Sequence, residues 1–187
     1  MMGILGSLVT LDAGMLSLEE IAFGLSKAPR FVGQTVVPWV VADHLIAGMV
    51  YAERAGWAPA LRLHFGLHDA SEAVTGDVPT GFKPASFKAL QQRLDVRLYA
   101  KLGLALPTLA EADTVHRLDG DMLLAEAATV APPATYRRIV AERAHREADH
   151  EHRVAVQEVL SWQYGREDTA NAWLDRVLPL ILQLQGR

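Results

Sequence analysis

The residues best suited to chemistry are two histidines and several carboxylates. His68 and Asp69 are adjacent, His44 precedes them and Asp119 follows. Neighbouring residues on a helix point about 100° apart, so His68 and Asp69 do not share a face. Both can still reach one point in a groove between two other helices. His44 then supplies a nitrogen from one side and Asp119 an oxygen from another. Two imidazoles with two carboxylates make a mixed nitrogen and oxygen site that suits a divalent first-row metal: Mn, Fe, Co, Ni or Zn. Such an ion keeps positions open for water and a phosphate oxygen, and lowers the pKa of bound water towards ~7. Glu72 lies one turn beyond Asp69 on the same side, placed as a general base or acid. Asp77, in the loop that follows, is placed to orient Glu72 or to protonate a leaving oxygen.

Burial of Asp69 between Leu67 and Ala70 would be costly without a partner, and a metal meets that cost. Asp113 and Asp121 compete locally with Asp119. His64, one turn before His68, reads as a supporting or surface residue. A second cluster, His145, His150 and His152 with Glu147, Asp149 and Glu151, is interleaved with Arg143, Arg146 and Arg153. That pattern reads as a solvated face laced with i,i+4 ion pairs.

Helices must position these groups. Ser17 and Glu20 have capping-box spacing and open a helix through about Lys27. Arg30 to Val37 reads as a loop, and Pro38 as a first-turn residue of a helix ending near Gly56. The next helix begins near Pro59, carries His68, Asp69 and Glu72, and ends at Gly76. Residues 77–84 form a loop, and Ala85 to Leu102 a helix stopped by Gly103. Further helices cover about Leu109 to Val130, Thr135 to Tyr164, and Asp168 to Gln185, with Pro179 as a kink site. Only Leu8–Leu11 and Thr35–Val37 carry β-rich character. No composition shift marks a linker. The expectation is an all-α, single-domain helical bundle over residues 1–187, with a motif core at about 17–130 and a helical extension at about 134–187.

The stretch His68-Asp69-Ala70-Ser71-Glu72-Ala73-Val74-Thr75-Gly76-Asp77-Val78-Pro79, followed by Lys83, resembles the signature of the HD-domain phosphohydrolase superfamily. It is most similar to the branch of bacterial 5′-deoxynucleotidases and phage-type deoxynucleoside triphosphate hydrolases. Pro29-Arg30-Phe31 and Val41-Ala42-Asp43-His44 resemble that branch's approach to its first His ligand. Val115 to Asp119 and Leu124-Ala125-Glu126-Ala127 resemble its last ligand segment. The resemblance implies an HD-type helical fold and one metal on His44, His68, Asp69 and Asp119. It implies catalytic roles for Glu72 and Asp77, and phosphate binding by Arg30 and Lys83. Trp39 stands where the family often has an aromatic and would line the base or sugar pocket. His116 and Leu118 replace a Lys and a small residue common in the family.

Composition narrows the class. The chain has no cysteine, which excludes disulfides, thiolate catalysis and Cys-type zinc sites. A net charge of −4 argues against duplex nucleic acid or anionic membrane as partners. Met1 to Leu11 lacks a basic start and a long apolar run, so a cytoplasmic protein is expected. The expected function is phosphate removal from deoxynucleoside monophosphates by one transition metal, with room for a second, substrate-borne Mg or Mn. Two alternatives stand beside it: triphosphate release from a deoxynucleoside triphosphate such as dATP, and a non-catalytic nucleotide-binding module. Leu160, Trp162, Tyr164, Trp173 and Leu180 to Leu184 offer apolar surface for a homo-oligomer.

Overall fold

The computed structural model describes residues 16–143, 146–163 and 169–186. The described chain is all-α. Its helices are α1 (Leu18–Leu25), α2 (Val41–Arg54), α3 (Pro59–Leu67), α4 (Glu72–Thr75), α5 (Ala85–Lys101), α6 (Leu109–Val130), α7 (Pro133–Glu142), α8 (His150–Gln163) and α9 (Thr169–Leu184). Two short 3₁₀ turns, Arg30–Gly33 and Thr80–Phe82, precede α2 and α5. The β-rich Thr35–Val37 forms no strand; the nearest thing to one is an isolated antiparallel bridge between Pro29 and Val40. Leu8–Leu11 lies outside the described residues.

Local chemistry sets several boundaries. The Ser17 hydroxyl accepts from the Glu20 amide at 3.2 Å, and Glu20 accepts from the Ser17 amide at 2.8 Å. Thr108 and Glu111 repeat this reciprocal cap at the start of α6. Each cap satisfies amides that a helix start leaves without partners.

The core is built around α2. It is buried from Val41 to Val50 and again at Ala52, and packs against α1, α3, α6, α8 and α9. Gly48 permits the closest approach. A Cβ there would lie 1.9 Å from Phe65 Cε1, so only glycine admits the ring. Trp173 donates its indole N–H to the Gly66 carbonyl at 3.0 Å and fastens α9 to α3.

Three expectations need correction. The helix expected to run from Pro59 to Gly76 stops at Leu67 and resumes at Glu72. The helix expected from Thr135 to Tyr164 is two, α7 and α8, with residues 146–149 non-helical between them; Tyr164 and His145 lie outside the described residues. Trp173, Leu180 and Ile181, expected as apolar surface, belong to the core because α9 closes over α1, α2 and α3. Leu178, Leu182 and Leu184 on α9 remain exposed. No helix among the described residues is long and apolar enough to cross a membrane.

Candidate functional site

α2, the turn after α3, and α6 bring four ligand atoms together. One donor atom from each of His44, His68, Asp69 and Asp119 lies within 4.8 Å of the others. His44 Nε2 is 3.5 Å from His68 Nε2 and 3.4 Å from Asp119 Oδ1. His68 Nε2 is 3.3 Å from Asp69 Oδ2 and 3.8 Å from Asp119 Oδ1.

Both imidazoles are aimed by what their other nitrogen touches. His44 Nδ1 is 2.6 Å from Glu126 Oε1, and His68 Nδ1 is 2.7 Å from the Phe65 carbonyl. A carboxylate and a carbonyl only accept, so each Nδ1 donates its proton there and each Nε2 faces the cluster. The Phe65 ring packs on both, with centroids 5.5 Å from His44 and 4.7 Å from His68. Glu126 is fully buried on α6 and also accepts from Arg30 Nη2 at 2.9 Å and Nε at 3.1 Å. Burial pushes its carboxyl up, but Arg30 and His44 outweigh this and hold it ionised, below its usual range.

The break after α3 lets adjacent His68 and Asp69 converge. Its hydrogen bonds span three residues: Ala70 N–H to Leu67 O at 2.9 Å and Glu72 N–H to Asp69 O at 2.9 Å. Such tightening brings residues i and i+3 into line, so Glu72 rises over Asp69 on one face.

The donor set fits a divalent metal. Burial opposes charge at His68, Asp69 and Asp119, yet the neighbours prevail. His68 charge and hydrogen bonding hold Asp69 down to about 2, and Asp119 lies well below the usual carboxylate range for the same reason. Both carboxylates are therefore in the anionic form a metal requires.

Two clefts open on the cluster, sharing Asp119 and His116 as a wall. The first, about 430 Å³, is of mixed charge: Arg30, Lys83 and Arg143 line it together with Asp69, Glu72, Asp77, Asp119 and Glu142. Glu72 is 2 % exposed; Oε1 accepts from Lys83 Nζ at 2.9 Å, and Oε2 is buried without a partner. Burial, then Asp69 and Asp77, push its carboxyl up to about 8, and Lys83 offsets part of this. Asp77 is raised by burial, with Arg30 opposing. Arg30 spends Nε and Nη2 on Glu126, while Nη1 lies 3.7 Å from Asp69. Burial disfavours its charge, but Glu126, Asp119, Asp69 and Asp77 keep the guanidinium protonated.

The second cleft, about 360 Å³, lies against His68 and is floored by Leu67, Val115 and Tyr99. His64 is buried there and bonds through Nδ1 to the Tyr99 hydroxyl at 3.1 Å. Burial lowers its pKa, so it is neutral.

The structure thus brings His44, His68, Asp69 and Asp119 into one cluster, and Arg30, Glu72, Asp77 and Lys83 into the cleft beside it. Trp39 does not join them. It is 1 % exposed within the hydrophobic core and lines neither cleft, because the start of α2 turns the indole inward. Sequence reasoning missed the role of Glu126, whose signal was its place one helix face along from Asp119, and of Arg143, read as one charge among many. His152, expected on a solvated face, is 6 % exposed, donates from Nδ1 to Asp149 Oδ1 at 3.1 Å and stacks on Tyr51. No family model matches the chain, and no curated protein matches it.

Proposed function

We propose that the chain is a metal-dependent phosphohydrolase of the HD-domain type, removing phosphate from deoxynucleoside monophosphates. The observation that carries this reading is the convergence of four candidate ligand atoms from three separate elements beside a cleft that holds Arg30, Lys83 and an unpartnered carboxylate oxygen of Glu72. His44, His68, Asp69 and Asp119 would hold a divalent ion, which would supply polarisation of a phosphoryl oxygen and a more acidic water.

The chain's own groups do the rest. Arg30 Nη1 and Lys83 hold phosphate oxygens, the first with a fixed planar donor and the second as a point charge. Glu72 Oε2 accepts the proton of the attacking water, and Asp77 holds the charge balance around Glu72. Phe31 lines the same cleft at φ 55°, next to Val32 at φ 56°, a conformation that costs a non-glycine residue roughly 1–2 kcal/mol. Strain of this kind persists where it positions a site residue, here Arg30.

A monophosphate matches the cleft's charge better than a triphosphate. Lys83 is already paired with Glu72 and Arg30 with Glu126, so little positive charge remains for a long anionic tail.

The test is product release from deoxynucleoside mono- and triphosphates with Mn or Co added, comparing the parent chain with Asp69→Ala and Glu72→Ala. Free phosphate from monophosphates, lost in both variants, is the expected result. Intact triphosphate from dATP would replace this reading with the triphosphohydrolase. Metal binding without turnover would leave a nucleotide-binding module.

A further inference from the structure

Arg143 caps the C-terminal end of α7 and lines the cleft that holds Glu72. It lies C-terminal to every segment that resembles the HD-domain signature, the last of which ends at Ala127. Its amide closes the helix by donating to the Ile139 and Val140 carbonyls at 3.1 and 3.2 Å, while its side chain reaches across to α6.

A glycine makes room for that reach. Gly120 is buried on α6, next to Asp119. A Cβ there would lie 2.9 Å from Arg143 Nη1 and 4.0 Å from Cζ. Glycine weakens a helix interior through its extra backbone freedom. Here it leaves a notch in α6 where a guanidinium can rest. His116 and Leu123, about one turn to either side of Gly120, share its helix face and line the same cleft. The tip of Arg143 therefore lies over the cleft face of α6, beside a residue that could hold a metal.

This guanidinium is the uncommitted cation of the cleft. Arg30 spends Nε and Nη2 on Glu126, and Lys83 meets Glu72. The carboxylates flanking Asp119 on α6 pair with other arginines, Asp113 with Arg117 and Asp121 with Arg146. Asp119 and Glu142 line the cleft too, yet no ion pair or hydrogen bond among the described residues engages the Arg143 side chain. Arg143 is exposed, so an incoming anion reaches it directly. A guanidinium with its fork free binds two phosphate oxygens at once, which a lysine cannot do. A single free cation suits one phosphate dianion and not a polyphosphate tail.

We infer that Arg143 is a substrate-binding residue, seated by Gly120, that grips the substrate phosphate from the α6–α7 side of the cleft. The phosphate is that of the proposed function, on which this inference rests.

The test is calorimetric titration of inorganic phosphate, and of a deoxynucleoside monophosphate, into the Glu72→Gln chain loaded with Co, in which substrate binds without turnover. Arg143→Ala, Arg143→Lys and Gly120→Ala are each added to that chain. Arg143→Ala should weaken both ligands about tenfold or more, as loss of a charge-assisted hydrogen bond does. Arg143→Lys should recover only part of this, because it restores the charge without the fork. Free guanidinium ion should restore phosphate binding to the Arg143→Ala chain and leave the Glu72→Gln parent unchanged; a residue that merely props α7 against α6 gives no such rescue. Gly120→Ala should weaken phosphate by displacing Nη1, with no fall in Tm, since alanine is the better helix former. Co binding without phosphate should match the parent's in all three. Phosphate binding by Arg143→Ala equal to the parent's would overturn the inference and leave the phosphohydrolase intact. A loss of Co binding as large as the loss of phosphate binding would assign Arg143 to support of the cluster and also overturn it. Failure of the Co-loaded parent to bind either phosphate or nucleotide would overturn the phosphohydrolase reading and this inference with it.

Discussion

Lys83 shows how one residue can hold an ionisation state and a ligand at once. Its ammonium lies 2.9 Å from Glu72 Oε1 and lowers a carboxyl that burial, Asp69 and Asp77 raise to about 8. A general base works only when ionised. Lys83→Ala removes a lowering influence, so the Glu72 pKa rises and the acidic limb of the pH–rate profile moves to higher pH. Lys83→Arg keeps the charge and should move it much less; kcat/KM measured from pH 5 to 9 checks both. The group that could hold a metal was legible because His68-Asp69 stands at fixed offsets from Glu72 and Asp77. Glu126 was not, because a glutamate among alanines on a helix looks like any solvated glutamate. Only the fold shows it to be fully buried between Arg30 and His44. Trp39 was misread for the converse reason: an aromatic near a ligand serves a core as readily as a pocket.

At the level of elements, Gly48 on α2 governs how α3 meets the site. Gly48→Ala would gain about 1 kcal/mol of helix propensity. The added Cβ would collide with a Phe65 ring at 1.9 Å, and overpacking of this sort costs typically 1–3 kcal/mol. The expected outcome is a net loss of stability in denaturant titration. Metal affinity should also fall, since the displaced ring packs on His44 and His68. Helix starts were legible from caps at Ser17 and Thr108. The interruption after Leu67 was not, because residues 66–71 contain no proline and Gly66 alone is weak punctuation. Tertiary packing of α4 against α1 supplies the reason for the break; Gly24 faces Ala73 so closely that a Cβ would lie 2.7 Å from its carbonyl oxygen. The division of Thr135–Tyr164 was equally hidden, since its charged residues favour helix and solvent alike.

For the molecule as a whole, the four residues that could hold a metal tie together α2, the turn after α3, and α6. An ion that binds only the folded chain stabilises it by mass action, by about 4 kcal/mol at a thousandfold excess over its dissociation constant. For a chain of this length that corresponds to a rise of roughly 10 °C in Tm. Thermal melts with Mn or Co against chelator should show the rise, and Asp119→Ala should abolish it. Glu126 carries a further consequence. Its two oxygens are shared, one with His44 and one with Arg30. An anion that draws Arg30 forward leaves more of the carboxylate's charge on His44 and makes that imidazole a stronger electron donor. Occupancy of the phosphate position and of the metal position are then thermodynamically linked, and linkage is reciprocal. Phosphate should tighten metal binding by the same factor by which metal tightens phosphate, and Glu126→Gln should shrink that factor in paired titrations. A site so built would hold a metal least firmly when the anion position is empty and most firmly when it is filled.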